Sequence, residues 1–380
     1  MEMEGLNNNI TERRKQTRSA VFNYIYEAEE PRTKQEISRD LNLSLPTVYQ
    51  NVEELLHAGY LEYSGARTSS GGRPAMALRV VSSIRYAIGI NITADKLRFA
   101  ATDLSQTEIA YKSVVHGFGV GGDDFNRFLA SELELFIDES GISRERILGV
   151  GITLAGIILP ESNVVLYAPT LYLNNVSLDS LARAIPYPVH TENDANSGGF
   201  AEWTKGAKES SVAFLSLEDG VGGSLFVNGE PYAGNHNRSG EFGHICVERN
   251  GRKCACGKQG CLEAYCSAIR LRNDFGADYE EFFEQLKVGN PKACEIWEDY
   301  KHHLATGVHN IRMVLDCDVI LGGFMAEHME PYIPEIREIL AEEDPFDSEN
   351  GNYLRSSLHP KYSSIIGVAM NLIREFISGI

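Results

Sequence analysis

The sequence predicts an α/β protein with a small helical domain and a β-hairpin at its N-terminus. Three observations lead there. The 380 residues exceed what one hydrophobic core usually organises, so two or three domains are expected. The first eighty residues show helical periodicity followed by two short strands. From Tyr86 onward, apolar strands such as AIGINI, LRFAATDL and ILGVGITLAGIIL alternate with helical stretches. With 43% hydrophobic and 23% charged residues, the composition is that of a folded chain rather than a disordered one.

The N-terminal elements follow from local chemistry. Val21, Phe22, Ile25 and Tyr26 recur at helical spacing in a first helix predicted from Thr11 to about Glu29, and Pro31 ends it. Thr33-Lys-Gln-Glu36 fits a capping box, in which the Thr33 hydroxyl and the Glu36 carboxylate satisfy free amide hydrogens at the start of a second helix running to Leu41. Ser44 caps a third helix, with Pro46 in its first turn and Gly59 as its stop. There Val48, Val52, Leu55 and Leu56 form the buried stripe, leaving Thr47, Tyr49, Gln50 and Asn51 exposed. Tyr60–Tyr63 and Met76–Val81 read as strands joined by the loop SGARTSSGGRP. A small bundle with a polar solvated face would share the helices. The hairpin makes the arrangement a winged helix-turn-helix, assigned to residues 1–82.

That arrangement predicts contact with double-stranded operator DNA. Recognition helices read bases near their N-terminal half, so Ser44, Thr47, Tyr49, Gln50 and Asn51 are the candidate contacts. Gln and Asn can bond twice to adenine, and a Thr methyl packs on thymine. Arg73, on the thin backbone Gly71-Gly72-Arg73-Pro74, suits a narrow A·T-rich minor groove. A net charge of -18 excludes nonspecific nucleic-acid binding by the chain as a whole, so the contact must be local. Residues 1–80 are nearly balanced, with Arg13, Arg14, Lys15 and Arg18 at one flank and Arg67, Arg73 and Arg79 at the other. No apolar run is long enough to span a bilayer, and the polar N-terminus lacks the apolar core of a secretory signal, so no membrane partner and a cytoplasmic location are expected.

Seven cysteines, an odd number, argue against a disulfide framework. Cys254, Cys256 and Cys261 crowd into one loop, which suggests a metal, whereas Cys246, Cys266, Cys294 and Cys317 read as buried or incidental thiols. In order, YAIGINITADKLRFAATDL, GVGITLAGII, HTENDANSGGFAEW, DGVGGSLFVNG, NRSGEFGHICVERNGRKCACGKQGCLEAY and VILGGFMAE resemble the ROK family of bacterial sugar kinases and sugar-responsive repressors, xylose and N-acetylglucosamine repressors included. The likeness covers essentially the whole chain, and the repressor branch carries just such a head ending in GGRP. It implies an α/β two-lobed actin-like ATPase (sugar kinase-like) fold. The first lobe would be residues 83–195 plus about 363–380, the second residues 196–362 with a zinc loop, and a sugar would lie between them.

His244, Cys254, Cys256 and Cys261 supply one imidazole and three thiolates, the ligand set of a closed tetrahedral zinc site, and Gly257 and Gly260 let the loop bend around the ion. Four protein ligands leave no position for an activated water, so the zinc is expected to be structural. Carried over residue by residue, the resemblance places sugar contacts at Gly156, Asn193, Asp194, Glu241, His244 and Glu263. Sugar hydroxyls donate and accept, so carboxylates with an amide and an imidazole can fix each one. His244 is expected to use one ring nitrogen for zinc and the other for the sugar.

Asp194 also matches the general base of the family's kinases. Phosphoryl transfer depends on holding and neutralising phosphates, and there the chain departs from the kinase pattern. Where the kinases read Asp-x-Gly-Gly-Thr, it has Asn91-Ile-Thr93-Ala94-Asp95; the second loop, Asp219-Gly-Val-Gly222-Gly223, and Leu321-Gly322-Gly323 stay close. The expected function is a DNA-binding regulator, a repressor of carbohydrate genes, that responds to a sugar or sugar phosphate as a homodimer or homotetramer. Asp194 would be a vestigial base, with no catalytic residue and no ATP. The alternative is an ATP-dependent sugar kinase with a regulatory DNA-binding head.

Overall fold

The computed structural model describes residues 2–67, 75–206, 211–236, 238–343, 346, 350–359 and 362–380. The chain opens with α1 (Glu2–Tyr26), β1 (Arg32–Thr33), α2 (Lys34–Asp40), α3 (Leu45–His57), β2 (Leu61–Arg67) and β3 (Ala75–Val80). Helix α1 begins well before Thr11, because the polar residues ahead of it have no apolar face by which periodicity could mark a start. The capping box forms as expected: Thr33 accepts from the Glu36 amide, and the Glu36 carboxylate accepts from Thr33 N at 2.7 Å. Ser44 caps α3 by accepting from Thr47 N. Strand β1, too short to leave a period in the sequence, adds to the hairpin and gives a three-stranded sheet in the order β1-β3-β2. Val21, Phe22, Ile25, Ile37, Val48, Val52, Leu55 and Leu61 are buried between these elements. The hairpin tip, with Arg73, lies outside the described residues.

Next come β4 (Tyr86–Ile92), β5 (Lys96–Asp103), β6 (Glu108–Val115), α4 (Asp123–Ser140), β7 (Ile147–Leu154), β8 (Ile157–Leu159), β9 (Val164–Ala168), β10 (Leu173–Ser177), α5 (Asp179–Ala184), β11 (Val189–Asn193) and α6 (Asp194–Gly206). They build a five-stranded sheet, β11-β7-β4-β5-β6, in which β4, β7 and β11 are parallel, and a small antiparallel sheet, β10-β9-β8. A second run follows: β12 (Val212–Leu217), β13 (Val221–Val227), β14 (Glu230–Pro231), α7 (Glu263–Cys266), α8 (Ala268–Phe275), α9 (Tyr279–Lys287), α10 (Pro291–Leu315), β15 (Asp318–Gly322), α11 (Ala326–Met329), α12 (Ile333–Glu343), β16 (Leu354–Ser356) and α13 (Ser363–Ser378). Its sheet, β14-β13-β12-β15-β16, repeats the design of the first, with three parallel strands and an antiparallel pair at one edge. Strands β4, β7 and β12 are apolar along nearly their whole length because helices cover both faces.

Two helices pack between the sheets. Helix α13 lies on β4 and β7, while α6 lies on β12 and β13, and the two pack against each other. Glycines allow this closeness: a Cβ at Gly89 would stand 2.1 Å from Ile365 O, and one at Gly367 only 1.6 Å from Ser197 O. The C-terminal helix therefore packs on the sheet that holds β4 and β7. Its outer side meets the N-terminal elements, where Phe376 packs edge-on against Tyr60 with ring centroids 6.0 Å apart and Arg18 Nε donates to Ile380 O at 2.9 Å. No helix among the described residues is long and apolar enough to cross a membrane.

Candidate functional site

Parallel strands in open α/β sheets end at ligand clefts. Here β7 ends at Leu154, β11 runs directly into α6 at Asp194, and both open on a cleft of about 1570 Å³ between the lobes. All six expected sugar contacts line it: Gly156, Asn193, Asp194, Glu241, His244 and Glu263. Gly156 has φ 147°, and a Cβ there would stand 2.6 Å from Tyr167 O, so only glycine fits. Asn193 is locked in place: Nδ2 donates to Gly156 O at 2.9 Å, and Oδ1 accepts from Asn196 N in the first turn of α6.

Asp194 is 7% exposed, and its Oδ1 accepts from Ala195 N at 2.8 Å. Burial pushes its carboxyl above the usual range and the charge of Glu241 adds to this, while backbone amides oppose the shift. Glu263 Oε2 accepts from Val221 N at 3.2 Å. The same carboxylate reaches back toward the cysteine loop, with Oε1 3.4 Å from Cys254 Sγ.

The ligand atoms of His244, Cys254, Cys256 and Cys261 all lie within 4.8 Å of one another. Cys256 Sγ and Cys261 Sγ are 3.7 Å apart, and Cys254 Sγ is 3.7 Å from His244 Nδ1. A tetrahedron built on Zn–S bonds near 2.3 Å has an edge of about 3.8 Å, so four thiol and imidazole donors at this spacing fit a metal ion such as zinc. Gly257 and Gly260, with φ of 89° and 80°, turn the loop around them. The imidazole faces two ways. Nδ1 points at the thiols, and Nε2 stands 3.9 Å from Glu241 on the cleft side.

The other half of the cleft is where the resemblance implies that a kinase would hold phosphate. Asn91 is buried; its Nδ2 donates to Thr153 Oγ1, and its Oδ1 accepts from Arg98 at 3.0 Å. The Arg98 guanidinium lies 5.4 Å from the ring of Phe324 and so spans from the first lobe to the second. Asp95 is exposed at the rim, and Glu218 and Asp219 face it across the cleft. Burial raises the pKa of both; Glu218 is raised further by Asp194 and Asp219 further by Asp95, whereas Arg272 lowers Asp219. A polyphosphate placed there would meet three carboxyl groups, of which Glu218, raised to about 8, is largely protonated at neutral pH. The retained glycines have a packing reason: a Cβ at Gly222 would stand 2.9 Å from Ala195 Cβ, and one at Gly223 2.6 Å from Gly240 O. Gly222 lets β13 lie against the start of α6, and Gly223 lets the chain at Gly240 and Phe242 pass close to β13, whatever the cleft holds.

On α3, Ser44, Tyr49 and Gln50 are exposed and Thr47 is half-buried. Asn51 departs from expectation. It is 4% exposed, and its Nδ2 donates to Thr47 O at 2.8 Å, because position 51 lies one turn from Val48 and Leu55 on the inward stripe. Three of the basic flank residues are also engaged: Arg14 pairs with Glu54, Arg79 pairs with Glu62, and Arg18 bonds to Ile380 O.

Arg98, Glu218, Tyr167 and Tyr172 are among the cleft residues that the sequence did not single out. Glu218 directly precedes the glycine loop and was open to notice. Arg98 lies on a strand whose neighbours are core residues, so nothing local marks it.

The model that describes the ROK family matches residues 87–372. The putative xylose repressor of Caldicellulosiruptor sp. (strain Rt8B.4) is 26% identical over 331 residues, 81% of this chain and 83% of that protein. A crystal structure described as a ROK family transcriptional regulator, homolog of the E. coli MLC protein, superposes with a TM-score of 0.75 at 20% identity, covering 96% of this chain and 97% of that one. A ROK family glucokinase from Streptomyces griseus, solved with glucose and AMPPNP, superposes with a TM-score of 0.63 at 21% identity over 75% of this chain and 98% of its own. Both solved structures share the two-lobed sugar-kinase fold, and the family match spans both sheets, the cysteine loop and most of α13: the chain belongs to the ROK family.

Proposed function

We propose that this chain is a sugar-responsive, DNA-binding transcriptional repressor of carbohydrate genes, whose kinase-like core senses a sugar and no longer transfers phosphate. In this reading residues 1–82 are a winged helix-turn-helix, residues 83–195 with about 363–380 the first lobe, and residues 196–362 the second. The observation that carries it is a pairing within one molecule. An exposed Ser44–Tyr49–Gln50 face beside a hairpin is joined to a sugar-kinase cleft whose phosphate half holds Asp95, Glu218 and Asp219. Relatives named as xylose repressors, similar over four fifths of this chain, support it.

Ser44, Thr47, Tyr49 and Gln50 would meet the major groove and Arg73 the minor groove, and buried Asn51 leaves that set. Gly156, Asn193, Asp194, Glu241, His244 and Glu263 would hold the sugar. Zinc on His244, Cys254, Cys256 and Cys261 would supply a structural tie and orient the imidazole toward the sugar. The protein would act in the cytoplasm as a homodimer or homotetramer on a palindromic operator. Sugar affinity must differ between the DNA-competent and incompetent states, and α13, touching α6 and the head alike, is the proposed link.

The test is fluorescence anisotropy of upstream promoter DNA, repeated with a panel of sugars and sugar phosphates. Binding that a sugar weakens supports the reading, and absence of binding to every promoter fragment overturns it. One observation favours a kinase instead: Asp194 is a buried carboxylate with a raised pKa at the cleft, as a general base requires. Sugar-dependent ADP release abolished by Asp194→Asn would establish that second reading.

A further inference from the structure

Of the six expected sugar contacts, Glu241 is exposed and the other five are buried or half-buried in the cleft. Its outer rim on the first lobe is the small sheet β8–β9–β10, and this rim carries two tyrosines that the core does not use. Tyr167 is 49% exposed and Tyr172 is 93% exposed, and both line the cleft. Tyr167 lies opposite Ile157 in the β8–β9 ladder, and its backbone carbonyl packs against Gly156, so it adjoins the inner pocket directly.

Tyr172 has φ 57°, a left-handed conformation that bulky residues avoid. Its neighbours explain how it is held there. Leu171 and Leu173 are each 6% exposed and anchor the chain in the lobe on either side, so the ring between them is presented outward on a fixed backbone. The backbone closes the short turn Pro169–Leu171, with Tyr172 N donating to Pro169 O at 3.2 Å, but that turn has no use for the exposed ring. An Asn or Gly would relieve the backbone, and a polar residue would suit the exposure, so a strained, solvent-facing tyrosine at a cleft mouth points to a binding role.

The size and charge of the cleft narrow the ligand. Its volume, about 1570 Å³, exceeds the roughly 300–1,000 Å³ of ordinary small-molecule pockets, so one sugar ring against His244 and Glu263 leaves much of it unfilled. Ten carboxylates line it against five Lys and Arg, which disfavours a phosphorylated or otherwise anionic ligand. A tyrosine ring offers a flat apolar face to the C–H side of a pyranose and a hydroxyl to its oxygens, with only two side-chain torsions to order.

We propose that Tyr167 and Tyr172 form an outer subsite for a second sugar ring, so that the effector is a neutral, unphosphorylated oligosaccharide of at least two rings. The proposal rests on the sugar-binding reading above and specifies the class of sugar. The experiment is isothermal titration of the full-length protein with matched pairs: xylose and xylobiose, glucose and cellobiose, and N-acetylglucosamine and chitobiose. Glucose 6-phosphate is the anionic control. At least one disaccharide should bind about tenfold tighter than its monosaccharide, the increment of one stacked ring, and glucose 6-phosphate no tighter than glucose. Tyr172→Ala and Tyr167→Ala should each remove most of that gain, leave the monosaccharide Kd within about twofold and leave the melting temperature unchanged. Tyr172→Phe, which keeps the flat face, should retain the gain.

Disaccharides that bind no tighter than their monosaccharides, or a Tyr172→Ala variant that weakens both equally, would overturn the outer subsite while leaving sugar sensing intact. Tighter binding of glucose 6-phosphate would overturn the neutral class. If no saccharide binds, the sugar-responsive reading falls and the subsite with it.

Discussion

The crossing of α6 and α13 is the tightest contact between the lobes, and one substitution tests it. A Cβ on Gly367 would stand 1.6 Å from the Ser197 carbonyl oxygen and 2.4 Å from its carbon. Unbonded carbon and oxygen rarely approach within about 3 Å, so Gly367→Ala must part the two backbones by roughly 1.4 Å. No rotamer change can absorb this, because the obstructing atoms are main chain. Helix α13 is also pressed to its own sheet, where a Cβ at Gly151 would stand 2.7 Å from Val368 Cγ2. Overpacking costs about 1–3 kcal/mol in ordinary cores, and a backbone-to-backbone clash belongs at the top of that range, about 3 kcal/mol. For a two-lobed core of roughly 300 residues, at about 2.1 cal/mol/K of unfolding entropy per residue, that lowers Tm by roughly 5 °C, read by circular dichroism. Gly117→Ala is the control: nothing lies within 4 Å of its added Cβ, and it should melt with the wild type. A Gly367→Ala protein melting within about 2 °C of wild type would refute the reasoning.

Three further outcomes follow from the sites. Cys261→Ser should lose the zinc that wild type retains through dialysis, measured by atomic absorption; a variant still holding one zinc per chain would contradict the ligand set. Glu218 has a folded-state pKa raised by burial and by Asp194, so its ionisation costs stability. That cost is absent below the unfolded carboxylate range, near about pH 4, and grows as pH rises toward neutrality. Glu218→Gln should therefore raise Tm at neutral pH and lose the advantage near pH 4, and a gain independent of pH would show the assigned cause to be wrong. On α3, Gln50→Ala should weaken preference for operator over random DNA in competition binding without moving Tm. Asn51→Ala should instead destabilise the head by about 1 kcal/mol, because it opens a buried hydrogen bond. Equal behaviour of the two variants would count against the exposed–buried distinction.

What the sequence revealed divides by the range of the interactions involved. The capping box at Thr33–Glu36, the Ser44 cap and the alternation of strands and helices depend on near neighbours, and all were legible. The cysteine loop was legible because ligand spacing is itself local. Asn51 was misread because residue type outweighed position: an amide looked like a base reader, although the stripe through Val48 and Leu55 turned it inward. Arg98 and Tyr172 were invisible for a different reason. Their significance comes from what faces them, Phe324 across the cleft and the open rim above the inner pocket, and no periodicity reports a facing partner.

The glycines near the cleft show how the same ambiguity affects the kinase question. Gly222 and Gly223 keep the pattern of a phosphate loop, yet Ala195 and Gly240 forbid side chains there with or without a nucleotide. Their retention therefore carries no information about ATP. A side chain with no packing duty is the better witness: Asp95 is exposed at the rim and adds a carboxylate where the resemblance implies that a kinase would hold phosphate. Asp194 is a weaker witness in the opposite direction. A carboxylate beside sugar hydroxyls binds them equally well whether or not a proton is later removed, so its presence is demanded by sensing alone. Loss of transfer would need only the phosphate half to change, and Asp95 is the unconstrained position in that half.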